Sequence, residues 1–185
     1  MLNEIQTDAE TRMKKSLIAL GHELTHIRTG RANPALLDGL QVDYYGVKTP
    51  LSQVATISVS DARTLTVTPW EKTMVGPVEK SIIDSDLGLN PNSAGMTIRI
   101  PLPPLTEERR KDLTRLVSQE GENSKIAVRN IRRDANHNFK ELLKEKEITE
   151  DEERKAETKI QDLTNIFVAK IDDAVKVKSE EIMEI

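Results

Sequence analysis

From Thr106 to Ile182 the sequence returns an apolar side chain at helical intervals, with one break at EKEI, residues 145–148. The first run, 106–144, carries Leu113, Val117, Ala127, Ile131, Ala135 and Leu142. The second opens at Thr149 and continues through Ala156, Ile160, Leu163, Phe167, Ala174 and Ile182. Such spacing draws one stripe along a helix. Thr106 supplies a cap directly after PLPP, and Thr149 with Glu152 three residues on is a capping-box pattern. At 1.5 Å per residue these helices are roughly 50–60 Å long. A four-residue link makes them antiparallel neighbours. A third stripe, Ile5, Ala9, Met13, Leu17, Leu20, Leu24 and Ile27, occupies residues 2–28 and stops at Gly30. Three amphipathic rods have one another to cover their stripes, so a three-helix bundle is predicted.

Residues 31–104 follow a different pattern. LQVDYYGVKTPL predicts a hairpin turning at Tyr45-Gly46, and QVATISVS, RTLTVT and MTIRIP are further strand candidates. Between the last two, GPVEKSIIDSDLGLNPNSAG predicts a short helix with Pro77 near its start, then a Gly/Asn/Pro turn region. The expected fold class is therefore α+β. A discontinuous bundle, 1–30 with 105–185, accepts a small α/β domain, 31–104, between its first and second helices. The chain crosses between the two near 29–34 and near 101–105. These crossings make Thr29, Gly30, Arg31, Pro101, Leu102, Pro103, Pro104 and Leu105 the candidate hinge. With two Phe, two Tyr and one Trp, the composition favours aliphatic helix packing over an aromatic-rich sandwich. Without cysteine there is no disulfide framework and no thiolate site. The opening MLNEIQTDAE is too polar for a signal peptide, and no apolar run approaches the ~20 residues of a membrane span. A cytoplasmic protein is expected.

The formal net charge is −4, which argues against a polyanionic partner only if charge is evenly spread. Residues 146–185 are strongly acidic, whereas AVRNIRRDAN, 127–136, holds three arginines within five positions. Lys125 and Lys140 extend this cluster at either end. Arg129, Arg132 and Arg133 share one arc of their helix, continued by Asn136 and Lys140, with Ile131 and Ala135 on the other side. An ordinary solvated helix face pairs its cations with acids three or four residues away. The final helix does so, with Arg154 near Glu150 and Lys176 near Asp172 and Glu180. None of the three arginines has an acid at those offsets, and Asp134 points off the arc. Planar guanidinium groups suit phosphate oxygens and stack on bases. The pattern therefore points to RNA, with Arg28 and Arg31 at the first crossing as further candidates.

Two other features need a reading. HELTH, residues 22–26, matches the H-E-x-x-H pattern of zinc peptidases, in which His22 and His26 bind metal and Glu23 acts as base. Both histidines fall opposite the Leu20, Leu24 and Ile27 stripe, and no Glu follows until Glu71 to serve as a third ligand. The match is read as incidental, with no metal and no catalytic residue. Tyr44, Tyr45 and Trp70 have the chemistry to stack on bases, but core or turn packing in a small domain accounts for them more simply.

IRTGRANPALLDG (27–39), VDYYG (42–46), DLGLNPNSAG (86–95), PLPPLTEERRKDL (101–113) and VRNIRRDAN (128–136), taken in order, resemble the bacterial ribosome recycling factor family. The resemblance runs over essentially the whole chain. It implies an L-shaped, tRNA-like molecule with an elongated three-helix bundle and a small inserted β/α/β domain, hinged between them. It also implies a monomeric translation factor, with no cofactor and no covalent chemistry. Such a factor splits the post-termination 70S ribosome together with elongation factor G and frees it from mRNA. The bundle would lie on large-subunit rRNA near the intersubunit bridges, with Arg132 first among its contacts, then Arg129, Arg133, Arg28 and Arg31. The small domain would meet elongation factor G. A helical protein-binding adaptor is the alternative of another class, and a zinc peptidase is the remoter one.

Overall fold

The computed structural model describes residues 1–184. The chain separates into two compact units. One comprises Met1–Leu24 with Asp112–Glu180, the other Thr25–Lys111 with the chain end from Glu181.

The first unit is helical. Helix α1 spans Leu2–His26, α3 Glu107–Lys144 and α4 Glu150–Met183. The predicted starts hold in detail. The Arg109 amide donates to Thr106 Oγ1 at 3.1 Å. At α4 the Thr149 amide donates to Glu152 Oε2 at 2.8 Å, and the Glu152 amide returns a bond to Thr149 Oγ1 at 3.3 Å. These bonds satisfy amides that a helix start leaves unpaired. The Thr149 amide, and then the Thr149 hydroxyl, hold the Glu152 carboxyl below its ordinary pKa. Helix α3 ends in a Schellman arrangement: Glu147 N–H reaches Leu142 O at 2.9 Å and Lys146 N–H reaches Leu143 O at 3.0 Å, with Lys146 at φ 59.

The buried stripes are Ala9, Met13, Leu20 and Leu24 on α1, and Leu113, Val117, Val128, Ile131, Ala135 and Phe139 on α3. On α4 they continue through Ala156, Ile160, Phe167 and Ile171. Each large side chain fully buried here contributes roughly 1.5–3 kcal/mol. The buried line differs from the predicted one at six places. Ile5, Leu17, Ala127, Leu142, Leu163 and Ala174 are only half-buried. The line instead passes through Gly121, Ser124 and Thr164, which an apolar count does not register. Thr164 satisfies its hydroxyl by donating to Ile160 O at 2.8 Å. At Gly121 the two helices come close: a Cβ there would press on Val175 Cγ2 of α4.

The second unit holds a hairpin, β1 (Gln41–Tyr44) with β2 (Val47–Pro50), and a four-stranded antiparallel sheet of order β3-β4-β6-β5. Strand β3 is Ala55–Asp61, β4 Thr64–Pro69, β5 Asn92–Ala94 and β6 Thr97–Pro101. The hairpin turns at Tyr45 (φ 49) and Gly46 (φ 83), the double positive-φ pattern of a type I′ turn. Helix α2, Val75–Ile83, packs against β1, β4 and β6. Leu65, Val67, Val78, Ile82, Ile98 and Ile100 form the centre of this unit's core. Strand β5 lies where only a turn region is predicted. Its three side chains are all exposed, so no alternation betrays it, and its backbone pairing with β6 alone makes it a strand. Among the described residues no helix is long and apolar enough to cross a membrane.

Candidate nucleic-acid interface

The candidate site lies on the outward arc of α3 and the adjoining face of α4. Helical phase carries Arg129, Arg132 and Arg133 to this side because Val128, Ile131 and Ala135 take the inner one. Arg132 is half-buried, and its Nη1 donates to Gln161 Oε1 of α4 at 3.0 Å. Gln161 Nε2 in turn donates to Asn165 Oδ1 at 2.9 Å. Arg133 Nη1 donates to Asn130 Oδ1 at 3.2 Å. Both guanidinium groups are thus oriented by neutral amides, which fix direction without cancelling charge.

The other cations of the cluster sit differently. Arg129 Nη1 is 3.1 Å from Glu122 Oε1, an acid two helical turns away and outside the offsets that matter in a simple helix count. Lys125, with only 21% of its side chain exposed, pairs with Asp172 of α4. Asp134 leaves the arc, as its phase predicts, and binds Arg12 Nη2 of α1 at 2.8 Å. Lys140 is exposed. The face therefore has Arg132 and Arg133 charged and neutrally held, Lys140 open to solvent, and two flanking cations in ion pairs with acids. An arriving phosphate competes with Glu122 for Arg129 and with Asp172 for Lys125. It meets no acid at Arg132.

Arg28 and Arg31 belong to the other unit. Arg28 Nη2 donates to Pro103 O, joining the two chain crossings. Burial, and then the nearby charge of Arg109, hold its pKa below the ordinary value. Arg31 Nη2 lies 3.3 Å from Glu184 Oε2. With Arg63, Arg110 and Glu181, these last two line a cavity of about 260 Å³. Of the candidate hinge residues, Leu102 is buried in the small unit's core and its amide donates to Arg63 O at 2.7 Å. Within the other crossing, the Ala32 amide donates to Ala62 O at 2.8 Å. Both crossings are thereby fastened to the β3–β4 turn. Thr29 Oγ1 accepts from the Arg31 amide at 3.3 Å.

His22, Glu23 and His26 are all exposed, and no group of three or more His, Cys, Asp or Glu suited to a metal exists among the described residues. The aromatic residues follow expectation only in part. Tyr44 is half-buried against the small unit's core, but Tyr45 and Trp70 stand in solvent. The tyrosine hydroxyls donate to Glu71 Oε1 and Oε2, at 2.7 and 2.9 Å. Those bonds, Tyr44's first, hold the Glu71 carboxyl below its ordinary pKa, and the same contact pushes the Tyr44 phenol up.

Comparison with known proteins adds a separate line of observation. The family model described as "Ribosome recycling factor" matches residues 20–183. The chain is 57% identical over 185 residues to the ribosome-recycling factor of Coxiella burnetii, covering all of both chains. It has the same identity and coverage with that of Legionella pneumophila. It is similar to a solution structure of the ribosome recycling factor, with a TM-score of 0.78 at 38% identity, covering 100% of this chain and 98% of that one. A structure of the T. thermophilus ribosome recycling factor and the E. coli elongation factor G bound to the E. coli post-termination complex matches with a TM-score of 0.68. There the identity is 48%, with full coverage of both chains.

Proposed function

The chain belongs to the ribosome recycling factor family, and from that premise we propose that it engages the ribosome through the arginine face of α3. It is a ribosome-binding translation factor and not an enzyme, so HELTH has no peptidase role. Its partners in this reading are rRNA of the large subunit near the intersubunit bridges and elongation factor G on the post-termination 70S ribosome; in support, a relative is bound with elongation factor G to the post-termination complex. Arg132 and Arg133 anchor the bundle on phosphate, flanked by Arg129, Lys125 and Lys140, with Arg28 and Arg31 contributing from the small unit. Elongation factor G acts on the small domain, the connectors at 29–34 and 101–105 yield, and the helices deliver the force that splits the subunits.

The observation that carries this reading is the state of Arg132: charged, half-buried, aimed by a neutral amide and facing no acid. A charge-assisted hydrogen bond contributes about 1.5–3 kcal/mol, so its loss weakens binding roughly ten- to a hundredfold. The test is binding to isolated large ribosomal subunits over a salt series for the parent and for Arg132→Ala. At least a tenfold loss, with the log-affinity against log-salt slope flatter by nearly one unit, is expected of a phosphate anchor. Unchanged affinity and slope in a folded variant would reduce the face to a solvated surface. A protein-binding adaptor, the rival reading, predicts that outcome.

A further inference from the structure

The four-stranded sheet of the small unit turns one face to the core and leaves the other bare. Leu65, Val67, Ile98 and Ile100 point inward, where α2 packs on β4 and β6. Alternation sends their neighbours outward: Thr66 and Thr68 of β4, Thr97 and Arg99 of β6. Ser58 and Thr56 of β3 lie opposite Thr66 and Thr68 in the register and share that face. None of the six is buried. Trp70, the residue after β4, joins them: its indole N–H donates to Thr56 Oγ1 at 2.9 Å while the ring stays 61% exposed. A ring held by its single polar atom and left in solvent has little freedom to lose on contact. Arg99 stands opposite Thr66 on one side and opposite exposed Asn92 on the other. Asp61, an acid that feels the Arg99 charge, is held below its ordinary pKa first by the Arg63 amide, at 3.0 Å, and then by the Thr64 hydroxyl. Its carboxylate is thereby engaged at the β3–β4 turn, and Arg99 is open to an incoming anion.

This chemistry selects the occupant. A protein interface needs an apolar centre, and beyond Trp70 the face offers mostly hydroxyls. Hydroxyls both donate and accept, so they suit phosphate, sugar and base edges alike. An exposed indole stacks on a base of any identity, and a guanidinium takes a phosphate. From Trp70 to the level of Thr66 and Arg99 is four residues, about 13 Å along β4. Nucleotides stacked about 3.4 Å apart fill that length with about four. Duplex RNA hides its base faces within the stack, which leaves a single strand. We propose that Trp70, Arg99 and the hydroxyls between them form a platform for an unpaired loop of ribosomal RNA. One stack and one phosphate contact are too weak to hold a freely diffusing strand, and become effective when the strand is kept at high local concentration. An rRNA loop is kept so for as long as the protein sits on the ribosome, whereas mRNA is released. The platform therefore rests on the ribosome engagement given above, and adds to the face of α3 a second RNA contact on the small unit.

Because the chain has no cysteine, Ser58→Cys in the full chain gives a unique site for an azidophenacyl photo-crosslinker. On post-termination 70S ribosomes with elongation factor G, the expected adduct lies on unpaired rRNA nucleotides. Adding Trp70→Ala and Arg99→Ala should cut its yield at least about fivefold. An adduct on a protein, on mRNA, or nowhere above the dark control overturns the proposal. A second measurement needs no variant, since Trp70 is the chain's one tryptophan and alone supplies its indole fluorescence. Hexauridylate and hexaadenylate at millimolar nucleotide should both quench it, and a blunt RNA duplex at the same concentration should not. Arg99→Ala should raise the half-quenching concentration about five- to tenfold. No quenching by either hexanucleotide, or equal quenching by the duplex, overturns the proposal. Arg132→Ala separates the two readings: hexanucleotide quenching should stay parental in that variant, while failure of the arginine face shows as its unchanged binding to large subunits.

Discussion

Arg132 and Gln161 act as one device. Gln161 spends its amide N–H on Asn165, so its oxygen is turned to the guanidinium, and the arginine's direction is set before any phosphate arrives. Preorganisation of this kind contributes about as much as one ordinary hydrogen bond, roughly 0.5–1.5 kcal/mol. Gln161→Ala should therefore weaken large-subunit binding about two- to tenfold. The salt slope should hold, because the cation itself remains. In an Arg132→Ala background the same change should do nothing further, the signature of a residue acting through its partner. Equal losses in both backgrounds would mean that Gln161 touches the ribosome on its own account. The sequence carried the arginines plainly, because their phase and the absence of acids at three and four residues are local facts. It could not carry Gln161 or Asp172, which reach the cluster from another helix. Nor does a count over one turn register Glu122, seven residues from Arg129.

Among the elements, helix starts were legible because a cap is written within four residues, as at Thr149 and Glu152. The hairpin was legible for the same reason, its turn being fixed by Tyr45 and Gly46. Strand β5 was not, since its pairing with β6 leaves no mark on three exposed side chains. The exact seam between α3 and α4 was also hidden, because small residues permit close approach without adding hydrophobicity. Gly121 is the tightest case, and its substitution gives a prediction whose sign depends on the opposite helix. Gly121→Ala gains about 1 kcal/mol of helix propensity. It loses roughly 1–3 kcal/mol to overpacking against the branched, stiff Val175. The net effect in urea denaturation should be destabilising or neutral. In a Val175→Ala background the obstruction is gone, and the same substitution should stabilise by about 1 kcal/mol. A gain of that size in the parent background would show that α3 and α4 stand further apart than the Gly121–Val175 approach implies.

At the scale of the whole molecule, whether an acidic chain can meet RNA is a matter of where charge lies. The formal net charge is −4, yet the face of α3 concentrates cations, while the start of α4 is crowded with Glu150, Asp151, Glu152 and Glu153. Glu150 and Glu153 precede Gln161 by eleven and eight residues, about 16 and 12 Å along α4 at 1.5 Å per residue. Both distances exceed the Debye length of about 8 Å at physiological ionic strength, so these acids are largely screened from a phosphate at Arg132. Replacing Glu150, Asp151 and Glu153 by neutral isosteres, with Glu152 kept for its cap, takes the net charge from −4 to −1. If the local face governs binding, large-subunit affinity at that ionic strength should stay within about twofold of the parent, whereas one substitution at Arg132 costs at least tenfold. A tenfold gain from the distant neutralisations would instead mean that total charge limits association. The same triple variant at low salt supplies the internal control: near 0.01 M the Debye length grows to about 30 Å, the acids come within range, and affinity should then rise above the parent's. Indifference at physiological salt with a gain at low salt is the pattern that a local arginine anchor on an acidic protein requires.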